Sequence, residues 1–331
     1  PDSALKHVYS NESNLVETEK NIIEDNVVMV DSINHALKEE MIRNEKMIIF
    51  GQDIADPKGG VFTATKGLSK QFGTDRVFNS PLAESSIIGT AIGMAVTGYK
   101  PVVEIQFADY IWTAMMQIRN EVVTLRYRSN NAWNCPMVIR APVGGYIHGG
   151  LCHSQSIDGF FFHLPGIYIA YPSNASDAKG LLKSACRMDD PVLFLEHKGL
   201  YRQGYAAAEE PDVDYLLEYG KANGVQEGND LTIITWGALV QKSIEASREM
   251  DYSNFGVVYA GLQKNLGIPG TALVIVREDL LGYALPETPK LLDYSLIVES
   301  QSILNTINVF AVYVTRLVLE WVKEHGGIPE M

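Results

Sequence analysis

The sequence predicts an α/β protein, with a three-layer αβα domain built on a parallel sheet and a second, smaller α/β domain after it. Two observations carry that prediction. Apolar runs of strand length (47–51, 101–106, 135–140 and 191–196) alternate with helix-length periodic segments. Glycine-rich loops such as Gly59-Gly60 and Gly144-Gly145 lie between them, as expected where strands hand over to helices in a sheet covered on both faces.

Taken in order, residues 1–26 are polar and acidic without periodicity and are expected to be a tail or linker. A helix at about 29–43 leads into the strand Met47–Gly51, and the loop from Gln52 to Gly60 is punctuated by Asp-Pro and Gly-Gly. Ser80 and Pro81 supply a hydroxyl N-cap and a proline at the first helical position. The helix they open carries no charge between Glu84 and Lys100 and is expected to be buried on all sides. A capping box needs its carboxylate three residues after the cap, which here is Ala83. Glu84 is left as a helix-dipole partner or a functional acid at the head of an apolar helix.

Next come the strand 101–106, a helix at 111–128, the strand 135–140 and a glycine-rich loop ending at His153. A strand at 167–170, a helix at 175–187 and the strand 191–196 complete a first domain spanning 27–203. Residues 204–224 are polar, acidic and weakly periodic, which predicts a linker. The C-terminal domain, 225–331, opens with a strand-turn at 230–237 and a helix at 239–249. Strands at 272–277 and 294–298 and a helix at 304–324 are expected beyond it.

At 331 residues the chain exceeds one average domain, and its 46% hydrophobic and 20% charged content is that of a soluble globular protein. The formal charge of −13 argues against nucleic acid or an anionic membrane as the main partner. No apolar run reaches the roughly 18 residues of a membrane span, and no secretory signal opens the chain. Cys135, Cys152 and Cys186 are odd in number and lack metal-site spacing, which predicts a reduced compartment, the cytoplasm or, in a eukaryote, the mitochondrial matrix. Pro1 in place of a starting Met fits a processed or trimmed chain or part of a longer polypeptide.

The run Asn79-Ser-Pro-Leu-Ala-Glu84 and the apolar helix after it resemble the β subunit of the thiamin-diphosphate-dependent 2-oxo acid dehydrogenases. The resemblance extends from residue 27 to about 250. It includes the blocks Gly59–Leu68, Val103–Tyr110, Leu125–Ser129, His153-Ser-Gln-Ser156, Asp177–Leu182 and Glu196-His-Lys198, all in one order. It implies a pyrimidine-type cofactor-binding domain in which Glu84 hydrogen-bonds the aminopyrimidine nitrogen of thiamin diphosphate. A proton shared there promotes the imino tautomer that activates the thiazolium, and desolvation suits a carboxyl group to that work. By the same resemblance Leu82, Gln106 and Tyr110 line the aminopyrimidine pocket. His153 serves as the group near the 2-oxo acid and the lipoyl acceptor, a role suited to an imidazole. The stretch Gly149-Gly-Leu-Cys-His-Ser-Gln-Ser156 is closer to branched-chain than to pyruvate members, so 2-oxoisovalerate is the first expected substrate.

The chain departs from the family at one point and lacks an element that thiamin-diphosphate enzymes need. Where relatives have Gly-Glu-Asp after the first strand it has Gly51-Gln52-Asp53, and an amide cannot relay a proton between paired sites. It also has no Gly-Asp-Gly, the element through which such enzymes hold Mg²⁺ and the diphosphate. The resemblance therefore implies an α subunit, or a fused α half, that supplies the diphosphate site. A lipoyl-bearing acyltransferase as acyl acceptor and an α2β2 assembly follow from it too.

From residue 251 the sequence instead resembles phosphoserine aminotransferase, with Ala260-Gly-Leu-Gln-Lys-Asn265 and Val274–Gly282, continued by Asn305-Thr306 and Glu320–Gly327. In that family the lysine matching Lys264 forms the Schiff base with pyridoxal phosphate. Its aspartate, stacking aromatic and phosphate pocket lie outside this fragment, so pyridoxal phosphate is not expected here. The expected activity is thiamin-dependent oxidative decarboxylation of a 2-oxo acid. A pyridoxal-phosphate aminotransferase and a non-catalytic assembly subunit are the rival readings.

Overall fold

The computed structural model describes residues 6–10, 15–227, 233–249, 257–264, 267–300 and 309–324. The chain divides into one unit of residues 1–221 with 234–243 and another of residues 222–233 with 244–331. The first unit runs β1 (Ile22–Val27), α1 (Met29–Arg43), β2 (Met47–Gly51), α2 (Leu68–Phe72), β3 (Val77–Asn79), α3 (Glu84–Val96) and β4 (Lys100–Glu104). A composite helical stretch follows, from Ala108 to Arg128, containing α4 (Met115–Gln117) and α5 (Leu125–Arg128). Then come β5 (Val138–Val143), α6 (Asp158–Phe161), β6 (Tyr168–Ala170), α7 (Ala175–Arg187), β7 (Val192–His197) and β8 (Ala208–Pro211).

Six of these strands form one parallel sheet in the order β3-β2-β4-β5-β7-β6. Side chains alternate between its two faces with the period of a strand. Val102, Val138, Val192 and Phe194 pack with α1 and α7 on one side, among Ile33, Leu37, Met41 and Leu182. Val103, Ile139, Leu193 and Leu195 pack on the other with α3 and the composite stretch, among Ile87, Ala91, Ile111 and Ile118. Both faces are covered, hence the near-continuous apolar runs. After β2 the chain turns to one side for β3 and returns past β2 for β4, so the crevice outside the carboxyl ends of β2 and β4 is the topological switch point.

Several of the charges buried in this scaffold are paired. Arg140, on β5, donates to both oxygens of Glu196 at 2.6 and 2.8 Å and to Glu104 at 2.8 Å, and Tyr201 donates to Glu196 at 2.6 Å. On α7, Lys179 pairs with Glu39 and Glu210, and Lys183 with Glu39. Asn174 caps α7 by accepting the Asp177 amide at 2.9 Å.

Several expectations are corrected. Part of the stretch expected to be a tail forms β1, which pairs antiparallel with β8 from the stretch expected to be a linker. The polar character of β8 serves pairing: Glu210 is buried and meets His35 at 2.9 Å and Lys179 at 2.8 Å. Ser80 and Pro81 do not start α3. The Ser80 amide donates to the Gly51 carbonyl at 2.7 Å, the N-cap is Ala83 without a side-chain bond, and Glu84 is the first helical residue. Nor is α3 covered all round in this chain, since Ser86, Gly89, Thr90, Gly93 and Thr97 are exposed. The helix expected over 111–128 is broken into a 3₁₀ turn at Ala108–Ala114, α4, a π turn at Ile118–Val122 and α5. A change of hydrogen-bond pattern of this kind re-aims side chains along one stretch.

In the second unit β9 (Val257–Lys264) and β10 (Gly267–Val276) form an antiparallel hairpin. The α8 helix (Ala238–Glu249) begins in the first unit, whereas α9 (Tyr294–Glu299) and α10 (Val309–Glu324) lie in the second, with α10 packed against β10. The strand expected at 294–298 is helix: Asp293 accepts the Ser295 amide at 3.0 Å and caps it, and a short apolar run does not by itself separate helix from strand. Of the strand expected at 230–237, residues 233–236 are irregular, and 230–232 lie outside the described residues, as do Asn305 and Thr306.

Candidate functional site

The switch-point crevice gathers four of the five residues singled out from the sequence. The carboxyl end of β2 delivers Gln52 and Asp53, and the segment after β4 delivers Gln106, Phe107, Asp109 and Tyr110. Glu84 heads α3, and the segment after β5 carries His153. Glu84 is 6% exposed. Gln52 donates its side-chain amide to one oxygen of Glu84 at 3.2 Å, and the Thr113 hydroxyl lies 2.9 Å from the other. Among the described residues no cation pairs with this carboxylate. As the first residue of α3 it also faces the unpaired amides and positive dipole end of the helix.

Gln106 donates to the Asp53 carboxylate at 3.2 Å and lies 3.4 Å from the Gln52 carbonyl, so it joins Glu84 through Gln52. Asp53 has φ of 59° and pairs with Lys58 at 2.8 Å, which holds its carboxyl below the usual aspartate range. Leu82 is 81% exposed beside this network and is bound into none of it.

Tyr110 and His153 lie 2.7 Å apart, hydroxyl to Nε2. The other ring nitrogen of His153 is 3.1 Å from the Gly149 carbonyl, an acceptor only, so Nδ1 carries the proton and donates. In the neutral imidazole Nε2 then accepts from the Tyr110 hydroxyl. Burial pushes the Tyr110 phenol above its ordinary value, with Cys152, Asp109 and Glu84 adding to the rise, so it remains a donor through the neutral range. The His153 segment is tied down by Asp109, whose two oxygens receive the Ser154 and Gln155 amides at 3.2 and 3.4 Å. The Gln155 carbonyl in turn receives the Gly144 amide at 2.8 Å. Among the described residues no group of three His, Cys, Asp or Glu side chains converges to hold a metal ion.

Sequence reasoning missed Thr113, Asp109, Phe107 and Lys198 as members of this neighbourhood. Phe107 and Asp109 lie inside a matched block, and Glu196-His-Lys198 is another, so position was legible but contacts were not. Gln52 stood out only as a departure, yet it is one of the two side chains that donate to Glu84.

A parallel three-layer sheet with a buried carboxylate at its switch point defines a cofactor-binding domain of the transketolase kind. The chain matches the transketolase pyrimidine binding domain over residues 25–203, and an aminotransferase class-V pattern over 242–331. It is 50% identical over 222 residues to the 2-oxoisovalerate dehydrogenase subunit beta of Bacillus subtilis, covering 67% of each chain. It is 44% identical over 225 residues to the pyruvate dehydrogenase E1 component subunit beta of the same organism, covering 68% of each. Against the same subunit of Staphylococcus epidermidis it is 43% identical over 231 residues, covering 70% of each. A solved split-gene transketolase in an inactive beta4 tetramer shares the fold, with a TM-score of 0.53 at 23% identity over 69% of this chain and 68% of that one. The chain belongs to the family of 2-oxo acid dehydrogenase β subunits.

Proposed function

We propose that this chain is the β component of a branched-chain 2-oxo acid dehydrogenase, catalysing oxidative decarboxylation of a 2-oxoisovalerate-like acid with acyl transfer to a lipoyl-lysine. The observation that carries this reading is Glu84, a buried carboxylate at a helix head that is hydrogen-bonded by neutral donors and has no cation among the described residues. The higher identity to the 2-oxoisovalerate subunit than to the pyruvate subunit of one organism favours the branched-chain class.

The residues fit thiamin diphosphate at its pyrimidine end. An acceptor carboxylate, a carboxamide at Gln106, a phenol ring at Tyr110 and the exposed apolar side chain of Leu82 match a flat heterocycle with donor and acceptor edges. When bound, the cofactor supplies the electron sink that lets a 2-oxo acid lose carbon dioxide. Glu84 holds the proton shared with the ring nitrogen, while Gln52 and Thr113 fix the carboxylate in place. Gln52 orients Glu84 but cannot exchange a proton with it, so no relay passes through Gln52. His153, set as the Nδ1–H tautomer by Gly149, takes or returns a proton at Nε2 with Tyr110 as its partner. Mg²⁺ and the diphosphate are held by an α subunit or a fused α half, because this sequence has no Gly-Asp-Gly element. The working assembly is α2β2, serving a lipoyl-bearing acyltransferase. Pyridoxal phosphate is disfavoured because Lys264 comes without the rest of an aminotransferase site in the match over residues 242–331.

The test pairs Glu84→Gln with His153→Ala in enzyme assembled with its α partner. Glu84→Gln is expected to lower decarboxylation by on the order of 10²–10⁴ while leaving the chain folded. His153→Ala is expected to impair acyl transfer to the lipoyl partner more than turnover with an artificial electron acceptor. Near-wild-type decarboxylation in Glu84→Gln overturns the assignment of Glu84, and wild-type rates of His153→Ala in both assays overturn that of His153.

A further inference from the structure

Lys198 follows β7 in a single 3₁₀ turn and is 2% exposed. Its ammonium is buried with no hydrogen-bond partner among the described residues. A buried ammonium without an acceptor is costly, so whatever does face it carries weight. Its Nζ stands 5.6 Å from the centroid of the Phe107 ring, within range of a cation–π contact that strengthens on desolvation. That ring is the wall of the His153 site. The His153 imidazole meets it edge-to-face at 4.5 Å and 89°, and Tyr110 meets it at 5.6 Å and 72°. The acid whose field reaches Lys198 is Asp109, which holds the backbone of Ser154 and Gln155. Phe107 and Asp109, two of the groups on which Lys198 acts, both contact the His153 segment.

We propose that Lys198 is a positioning residue for the Tyr110–His153 pair, its ammonium fixing the Phe107 ring on one side while the imidazole packs against that ring on another. The inference rests on the reading of His153 as a working imidazole. It adds that the imidazole is set by a charge one ring away.

Burial pulls the Lys198 amine down to about 8, against the opposing pull of Asp109. The other titratable groups around it are His197, Tyr110, His153 and Asp109. His197 is held down to about 4 by burial and then by the charges of Lys198 and Lys242, and stays neutral above pH 7, while Tyr110 is shifted upward and stays protonated. Raising the pH from 7 to 9.5 therefore discharges Lys198, so the contact with Phe107 is present below about 8 and lost above it.

The test is ¹⁵N NMR of the histidine rings in the full chain without cofactor, with the His153 signal assigned by its loss in His153→Gln. In the wild type the Nε2 shift of the Tyr110-bonded imidazole is expected at pH 7 and to fade on passing pH 8. Lys198→Arg, which does not titrate in this range, is expected to keep it to pH 9.5. Lys198→Met and Phe107→Leu are expected to lack it at every pH. Circular dichroism verifies that each variant is folded. A bonded signal retained in Lys198→Met or Phe107→Leu, or a wild-type signal unchanged from pH 7 to 9.5, overturns the proposal. So does a Lys198→Arg signal that fades at the wild-type pH. Should Lys198→Met fail to fold, the wild-type titration and Phe107→Leu decide alone. Because the measurement needs no cofactor or partner, it fails or succeeds independently of the Glu84→Gln assay.

Discussion

Arg140 shows what single residues contribute beneath the site. Its guanidinium is fully buried between Glu104 and Glu196, and burial lifts the Glu104 carboxyl above the usual range even with Arg140 pulling it down. Arg140→Met would leave two carboxylates buried without their cation, a change that costs about 3–5 kcal/mol in such sites. The sign of the pH effect follows from linkage. A carboxyl whose folded pKa lies above its unfolded one binds protons more readily when folded, so its penalty shrinks as pH falls through the folded value. The difference between variant and wild type in urea unfolding is therefore expected to be largest near pH 7 and to narrow towards pH 5. A gap independent of pH would mean that lost packing, not stranded charge, sets the cost. Arg140 itself was legible only as part of a strand. That its side chain would meet Glu104 and Glu196 depends on the register of β5 between β4 and β7, which no local pattern encodes.

Among the elements, helices with a complete one-sided pattern were read well. α1 and α7 span the residues expected of them, because a helix face recurs within one segment. α3 misled at its start. Ser80-Pro81 has the composition of a cap, but the Ser80 amide is spent on the Gly51 carbonyl at the end of β2, and the helix waits until Glu84. The segment after β5 depends on Gly144, whose φ is +79° and where an added Cβ would fall 2.2 Å from Nε2 of His197. Gly144→Ala is expected to destabilise the chain by on the order of 1–3 kcal/mol and to loosen the loop that carries His153. Thermal melting and acyl-transfer rates in the assembled enzyme check this, with acyl transfer expected to fall more than decarboxylation. An unchanged melting temperature would mean that His197 can withdraw without cost.

For the whole molecule, the prediction concerns incompleteness. The chain alone, folded and with Mg²⁺ present, is expected to give no saturable calorimetric response to micromolar thiamin diphosphate, because its sequence has no Gly-Asp-Gly element to clamp the diphosphate and its formal charge of −13 repels an anion. Adding an α subunit with a Gly-Asp-Gly element is expected to restore binding and turnover together. Micromolar binding by the chain alone would mean that it builds a complete site unaided. The sequence by itself determined the α/β class and the strands β2, β4, β5, β6 and β7, though not β3, while its resemblance to a family singled out Leu82, Glu84, Gln106, Tyr110 and His153 as the residues to watch. Each of those signals is local: an apolar period, a turn, or a short block of chemistry. Tertiary structure decided the rest. It turned stretches read as tail and linker into the paired strands β1 and β8, set Gln52 and Thr113 on Glu84, and put the Lys198 ammonium over Phe107. Those contacts join residues far apart in the chain across strand ends whose neighbours are chosen by sheet order, and sheet order is fixed by how the two apolar faces pack, not by any one segment.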